Sequence, residues 1–124
     1  MRSPVPIVAL PSGGRAAAER LFATDDRPTA VFAGNDLQAL GIIEVLEERG
    51  LRVPEDVSVV GYDDTAVAEW ARPRLTTIHQ PIRRMAAEAA RIVLRLAAGE
   101  AVHQQRLELA THLVERGSTA PPRA

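Results

Sequence analysis

Apolar positions along this chain fall into short β-branched runs and longer stretches at helical spacing, and the alternation of the two predicts strands and helices in turn. Ile7 to Leu10 is a short run that ends at Pro11-Ser12-Gly13-Gly14, a turn, before the alanine-rich helix Arg15 to Ala23. Thr29 to Ala33 is a second buried strand, closed by Gly34-Asn35-Asp36, and a helix follows from Leu37 to about Arg49 with Gly50 as its stop. The third run, Val57 to Val60, is a strand buried on both faces that halts at Gly61-Tyr62-Asp63-Asp64. Then come a short helix from Thr65 to Ala71, a turn at Arg72-Pro73-Arg74, a strand from Leu75 to Gln80, and a helix from Ile82 to Ala98 between Pro81 and Gly99. Arg106-Leu107-Glu108-Leu109 alternates cleanly as a strand, His112 to Glu115 is a further one, and Gly117 to Pro122 is a tail. Strand and helix in regular alternation define an α/β chain with a doubly wound parallel sheet.

The two long helices carry different patterns. At ~100° per residue, Ala39, Ile42, Ile43 and Leu46 gather on one face that packs on the sheet. Leu37 and Leu40 fall on the other side among Glu44, Glu47 and Glu48, a hint of a partner surface. In the later helix Ile82, Met85, Ala86, Ala89, Val93 and Leu96 form one narrow apolar face, opposite Arg84, Glu88, Arg91 and Arg95.

Candidate chemistry lies at the strand ends. In an open parallel sheet, ligands sit beyond the carboxyl ends of the strands, which is where Asn35, Tyr62, Asp63 and Gln80 stand. Two of them have a plainer use. Asn35 is a preferred helix N-cap with Gln38 three residues on, and Asp63 or Asp64 can cap the short helix after them. Gly13-Gly14 lacks the lysine that a phosphate-cradling loop needs, and the turn explains it.

Composition narrows the function further. The formal net charge of −1 over 124 residues offers no basic excess for a nucleic-acid backbone. The absence of cysteine excludes disulfides, thiolate metal sites and cysteine nucleophiles. His79, His103 and His112 are too far apart for a local metal-ligand pair, and Ser58 lies mid-strand with its hydroxyl buried rather than on a nucleophile elbow. No catalytic residue, metal or cofactor is expected, and no apolar run approaches the ~20 residues of a membrane span. The expectation is a cytoplasmic chain that is not an enzyme.

Four stretches carry a resemblance to one family: Arg27-Pro-Thr-Ala-Val-Phe-Ala-Gly-Asn-Asp36, Gly50 to Asp64 (Gly-Leu-Arg-Val-Pro-Glu-Asp-Val-Ser-Val-Val-Gly-Tyr-Asp-Asp), Pro73-Arg-Leu-Thr-Thr-Ile-His-Gln-Pro81, and Leu113-Val-Glu-Arg-Gly-Ser-Thr119. In order and spacing they resemble the effector-binding region of the LacI/GalR transcription regulators. The resemblance implies a partial periplasmic-binding-protein-like type I fold, mostly its C-terminal lobe, with the N-terminal lobe and helix-turn-helix of the family truncated away. It divides the chain into a partial C-terminal lobe at 1–81, a crossover helix and strand at 82–109 that pack on the N-terminal lobe in the family, and a return strand and tail at 110–124. It implies a small-molecule effector, a carbohydrate, contacted by Asn35 and Asp63 with Tyr62 and Gln80 lining the cleft, because a carboxylate and an amide can each take more than one hydroxyl. It implies a homodimer through Leu37, Leu40, Trp70 and Ala71, and contact with DNA only through the helix-turn-helix. The alternative is a fragment of a periplasmic sugar-binding protein of an uptake system, which shares the fold. On either reading, one lobe alone encloses too little of a ligand to bind it well.

Overall fold

The computed structural model describes residues 10–103 and 106–123. Its elements are α1 (Pro11–Leu21), β1 (Ala30–Phe32), α2 (Asp36–Glu48), β2 (Ser58–Asp63), α3 (Ala66–Trp70), β3 (Thr76–His79), α4 (Ile82–Ala97) and β4 (His112–Val114). The strands form one sheet in the order β1-β2-β3-β4, and β1, β2 and β3 are mutually parallel. The register pairs Phe32 with Val60, Val60 with Thr76, and Asp63 with His79. This is the expected α/β architecture with a parallel sheet. Of the expected strand Ile7 to Leu10, residues 7–9 lie outside the described residues, and Leu10 is the extended residue before α1.

Two compact units divide the chain. The first holds the described residues up to His79 and from Leu113 onward. Its core is Ala18 and Phe22 of the α1 segment, Ala39, Ile42, Ile43, Val45 and Leu46 of α2, and Val57, Val59, Ala68 and Leu75 around the sheet. Val59, near the start of β2, is fully buried, as its apolar run predicts. β1 is less buried than its composition suggests, because it is the outermost strand of the described sheet and Phe32 is 66% exposed. The second unit, Gln80–His112, is built on α4, none of whose residues is buried.

Three sequence expectations change. Pro11-Ser12-Gly13-Gly14 is the beginning of α1 rather than a turn: Pro11 occupies the first helical positions, where its missing N–H costs nothing. Gly14 is there for closeness, since a Cβ on it would stand 1.9 Å from the Gln38 carbonyl oxygen, and one on Gly41 would stand 2.0 Å from that of Pro11. The two glycines let the backbones of α1 and α2 touch, and Arg15 bridges the same pair of helices by ion pairs to Glu44 (3.1 Å) and Glu48 (2.9 Å). Second, Arg106 to Leu109 forms no strand, because alternation selects a face but an extended segment also needs a neighbouring strand to take its backbone hydrogen bonds. Third, the tail is stitched down. Ser118 is fully buried; its Oγ donates to the Val59 carbonyl (2.6 Å) and accepts from Thr76 N (2.8 Å), while its carbonyl accepts from Val59 N (2.9 Å). Ser58 opens β2 rather than lying mid-strand, and its buried hydroxyl exchanges hydrogen bonds with the backbone of Ala120, both 3.0 Å.

Candidate functional site

Because β1 and β2 pair in parallel, the segments that leave them, Gly34-Asn35-Asp36 and Tyr62-Asp63-Asp64, emerge side by side at the carboxyl edge of the sheet. Asn35 has extended backbone and caps α2, its Oδ1 accepting from Gln38 N at 2.8 Å. That is one half of the expected capping box. Neither Asp63 nor Asp64 caps α3; the residue at that position is Thr65, whose side chain is used elsewhere.

Thr65 and its neighbours turn on Asp36, which is only 1% exposed. The Asp36 carboxylate accepts from Thr77 Oγ1 (2.6 Å) of β3, and from Thr65 N (2.7 Å) and Thr65 Oγ1 (2.9 Å) at the start of α3. A Cβ on Gly61 would stand 2.4 Å from Asp36 Oδ1, so β2 must have glycine where the carboxylate passes it. One buried side chain thereby fixes the ends of β1, β2 and β3 relative to each other. Removing it would strand buried donors at about 1–3 kcal/mol each.

The backbone at the end of β2 is strained. Asp63 has φ 108° and Asp64 φ 56°, conformations that aspartate tolerates better than most residues but that still cost about 1–3 kcal/mol each and persist only where the surroundings impose them. At Asp64 the restraint is visible: its Oδ1 accepts from Arg116 Nη2 (2.7 Å) and its Oδ2 lies 2.9 Å from His79 Nδ1. Burial pushes the Asp64 carboxyl upward, and the hydrogen bonds and charges of Arg116 and His79 outweigh it, holding the group below the usual aspartate value. Arg116 also donates Nη1 to the Leu75 carbonyl (3.0 Å), and its backbone N–H donates to Thr76 Oγ1 (3.0 Å).

The structure thus brings Asn35, Tyr62 and Asp63 to one edge of one sheet, with Tyr62 and Asp63 half-buried. Gln80 follows β3 and begins the second unit. Of the surface residues, Leu37 and Leu40 are half-buried on α2, Trp70 is 73% exposed at the end of α3, and Ala71 packs against the core. Sequence reasoning assigned no role to Asp36, Thr65, Thr77 or Arg116. Asp36, Thr77 and Arg116 lie inside the stretches that carry the family resemblance, but their partners are 29 to 52 residues away, a distance that no local pattern reveals.

A parallel sheet with a polar carboxyl edge defines the class, an α/β domain of the kind in which ligands sit beyond the strand ends. The chain belongs to the periplasmic binding protein-like domain family, whose profile matches residues 3–119, and its relatives place it with the effector-binding region of LacI-type repressors. The HTH-type transcriptional repressor PurR of Vibrio cholerae serotype O1 (strain M66-2) is 44% identical over 100 residues, covering 81% of this chain and 30% of the repressor. Among solved structures, the transcriptional regulator CelR–cellobiose complex superposes with a TM-score of 0.84 at 44% identity, covering 89% of this chain and 34% of that one. The dimeric Lac repressor with an 11-residue C-terminal deletion gives 0.83 at 37% identity, covering 92% and 42%. The chain spans about 30% of the length of the curated repressors that it matches. The match reaches back to residue 3, beyond the stretches that first suggested the family. These relatives are repressors, which does not favour the reading as an uptake protein.

Proposed function

We propose that this chain is the effector-binding and dimerising part of a LacI-type transcription regulator, a cytoplasmic protein that binds a ligand rather than transforming one. The effector is a small polar molecule of the carbohydrate class. Asn35 and Asp63 are its polar contacts, with Tyr62 and Gln80 lining the cleft. The observation that carries this reading is the convergence of Asn35, Tyr62 and Asp63 at the edge of two paired parallel strands, with Asp63 held at φ 108°. An amide at Asn35 and a carboxylate at Asp63 suit a polyhydroxylated ligand, since each can take more than one hydroxyl. The 44% identity to a regulator solved with cellobiose supports the ligand class. DNA contact belongs to a helix-turn-helix portion of the kind that the relatives' name records.

A hybrid in which residues 3–119 replace the matching part of the CelR regulator tests the site by calorimetry with cellobiose and a panel of mono- and disaccharides. Asp63→Ala should cost roughly 1.5–3 kcal/mol of affinity, as for hydrogen bonds to a charged group. Unchanged affinity removes Asp63 from the site. Dimerisation is proposed through an isologous patch of Leu37, Leu40, Trp70 and Ala71. Leu40→Asp in the same hybrid should sediment as a monomer, and an unperturbed dimer would reassign the surface.

A further inference from the structure

The first unit is discontinuous, and the chain passes between the units twice: outward at His79 to Gln80, and back at His112 to Leu113. Both passages end on one side chain. His79, the last residue before the outward passage, has Nδ1 2.9 Å from Asp64 Oδ2. Arg116, shortly after the return, donates to Asp64 Oδ1 at 2.7 Å. The arrangement is sheltered, with the side chains of Asp64 and Arg116 only 17% and 14% exposed and that of His79 40% exposed. The other acid close to Arg116 is Glu69 at 3.8 Å, an exposed and looser contact.

We propose that Asp64 is the common anchor of the two connectors, a positioning residue that ties the outgoing and returning strands to one point at the end of β2. Each of its oxygens serves one connector. Its backbone stands at φ 56° while one oxygen meets His79 at the end of β3 and the other meets Arg116 in the return segment, which gives the strain a use distinct from ligand contact. A shared anchor makes the two connectors loosen or hold together rather than independently. Asp64 stands next to Asp63, so the anchor and the proposed ligand contact occupy consecutive residues of one strained turn. The anchor itself does not depend on which ligand Asp63 meets.

Hydrogen–deuterium exchange on the 124-residue chain tests this. Asn tolerates the left-handed conformation and keeps the shape of Asp, so Asp64→Asn removes the charge and leaves the turn. Exchange over both residues 79–82 and 112–117 should accelerate about tenfold, while amides 39–46 of α2 keep their rates. In the Asp64→Asn background, His79→Phe should add less than about twofold at either connector, because the carboxylate that His79 meets is already gone. Acceleration at one connector only, or an equal rise in α2, overturns the proposal. If Asp64→Asn does not fold, Arg116→Lys, which keeps the charge and loses the fork, should still loosen both connectors; an effect confined to 112–117 overturns it equally.

Discussion

Helices α2 and α4 are both amphipathic, and α4 has the sharper division between its apolar and charged faces, yet α2 is buried and α4 is not. On α2, Ala39 and Leu46 are fully buried and Ile42, Ile43 and Val45 nearly so, covered by the sheet on one side and by α1 on another. On α4, Ile82, Met85, Val93 and Leu96 are 45–62% exposed. The difference teaches that an apolar stripe states which face must be covered and says nothing about what covers it. For α2 the cover is encoded close by, down to the glycines that let α1 approach. For α4 its own unit supplies a short apolar wall, Leu107 and Leu109, which faces Met85, Ala89 and Ile92 across a cavity of about 320 Å³.

The largest expected effect would break the comparison at its buried end. Leu46→Ala should destabilise the first unit by about 2–5 kcal/mol in chemical denaturation, because it opens a cavity among side chains with little room to collapse. The same change on α4, Leu96→Ala, should stay within about 0.5 kcal/mol and should reduce the binding of a hydrophobic dye. Equal costs at the two positions would mean that α4 is covered in solution. The smallest effect is a titration within the first unit. The Asp64 carboxyl is depressed in the folded chain, so its contribution is present above the ordinary aspartate value of 3.8 and is lost as pH falls through the lower folded value. Stability should therefore fall with pH in that acid window, and Asp64→Asn should fall less steeply. Asp56, held at about 2 by its hydrogen bonds to Arg52, acts in the same direction in both proteins and does not alter the contrast.

Local pattern made the elements legible to within a residue or two at α2, β3 and α4, because each has its own punctuation: Asn35 and Gly50, Arg72-Pro73-Arg74, Pro81 and Gly99. The apolar runs put Asn35, Tyr62, Asp63 and Gln80 at strand ends, and the parallel pairing of β1 with β2 adds that the first three share one edge. What escaped depends on partners distant in sequence. Gly13-Gly14 looks like a turn until Gln38 and Gly41 are known to press against that helix. Arg106 to Leu109 looks like a strand until the absence of a paired neighbour among the described residues is seen. Asp36 looks like the second residue of a helix start until Thr65 and Thr77 arrive on its oxygens.

The stitching of residues 118–120 to β2 also sets a timetable. Ser58 and Ala120 are 62 residues apart, and at roughly 5–20 residues per second of synthesis the second emerges some 3–12 s after the first. All of α4 leaves the ribosome within that interval. Until then the Val59 N–H and carbonyl lack the partners that Ser118 gives them, while α4 with its exposed apolar residues is already outside. The first unit therefore cannot complete its hydrogen bonds at β2 until residues 118–120 have been made.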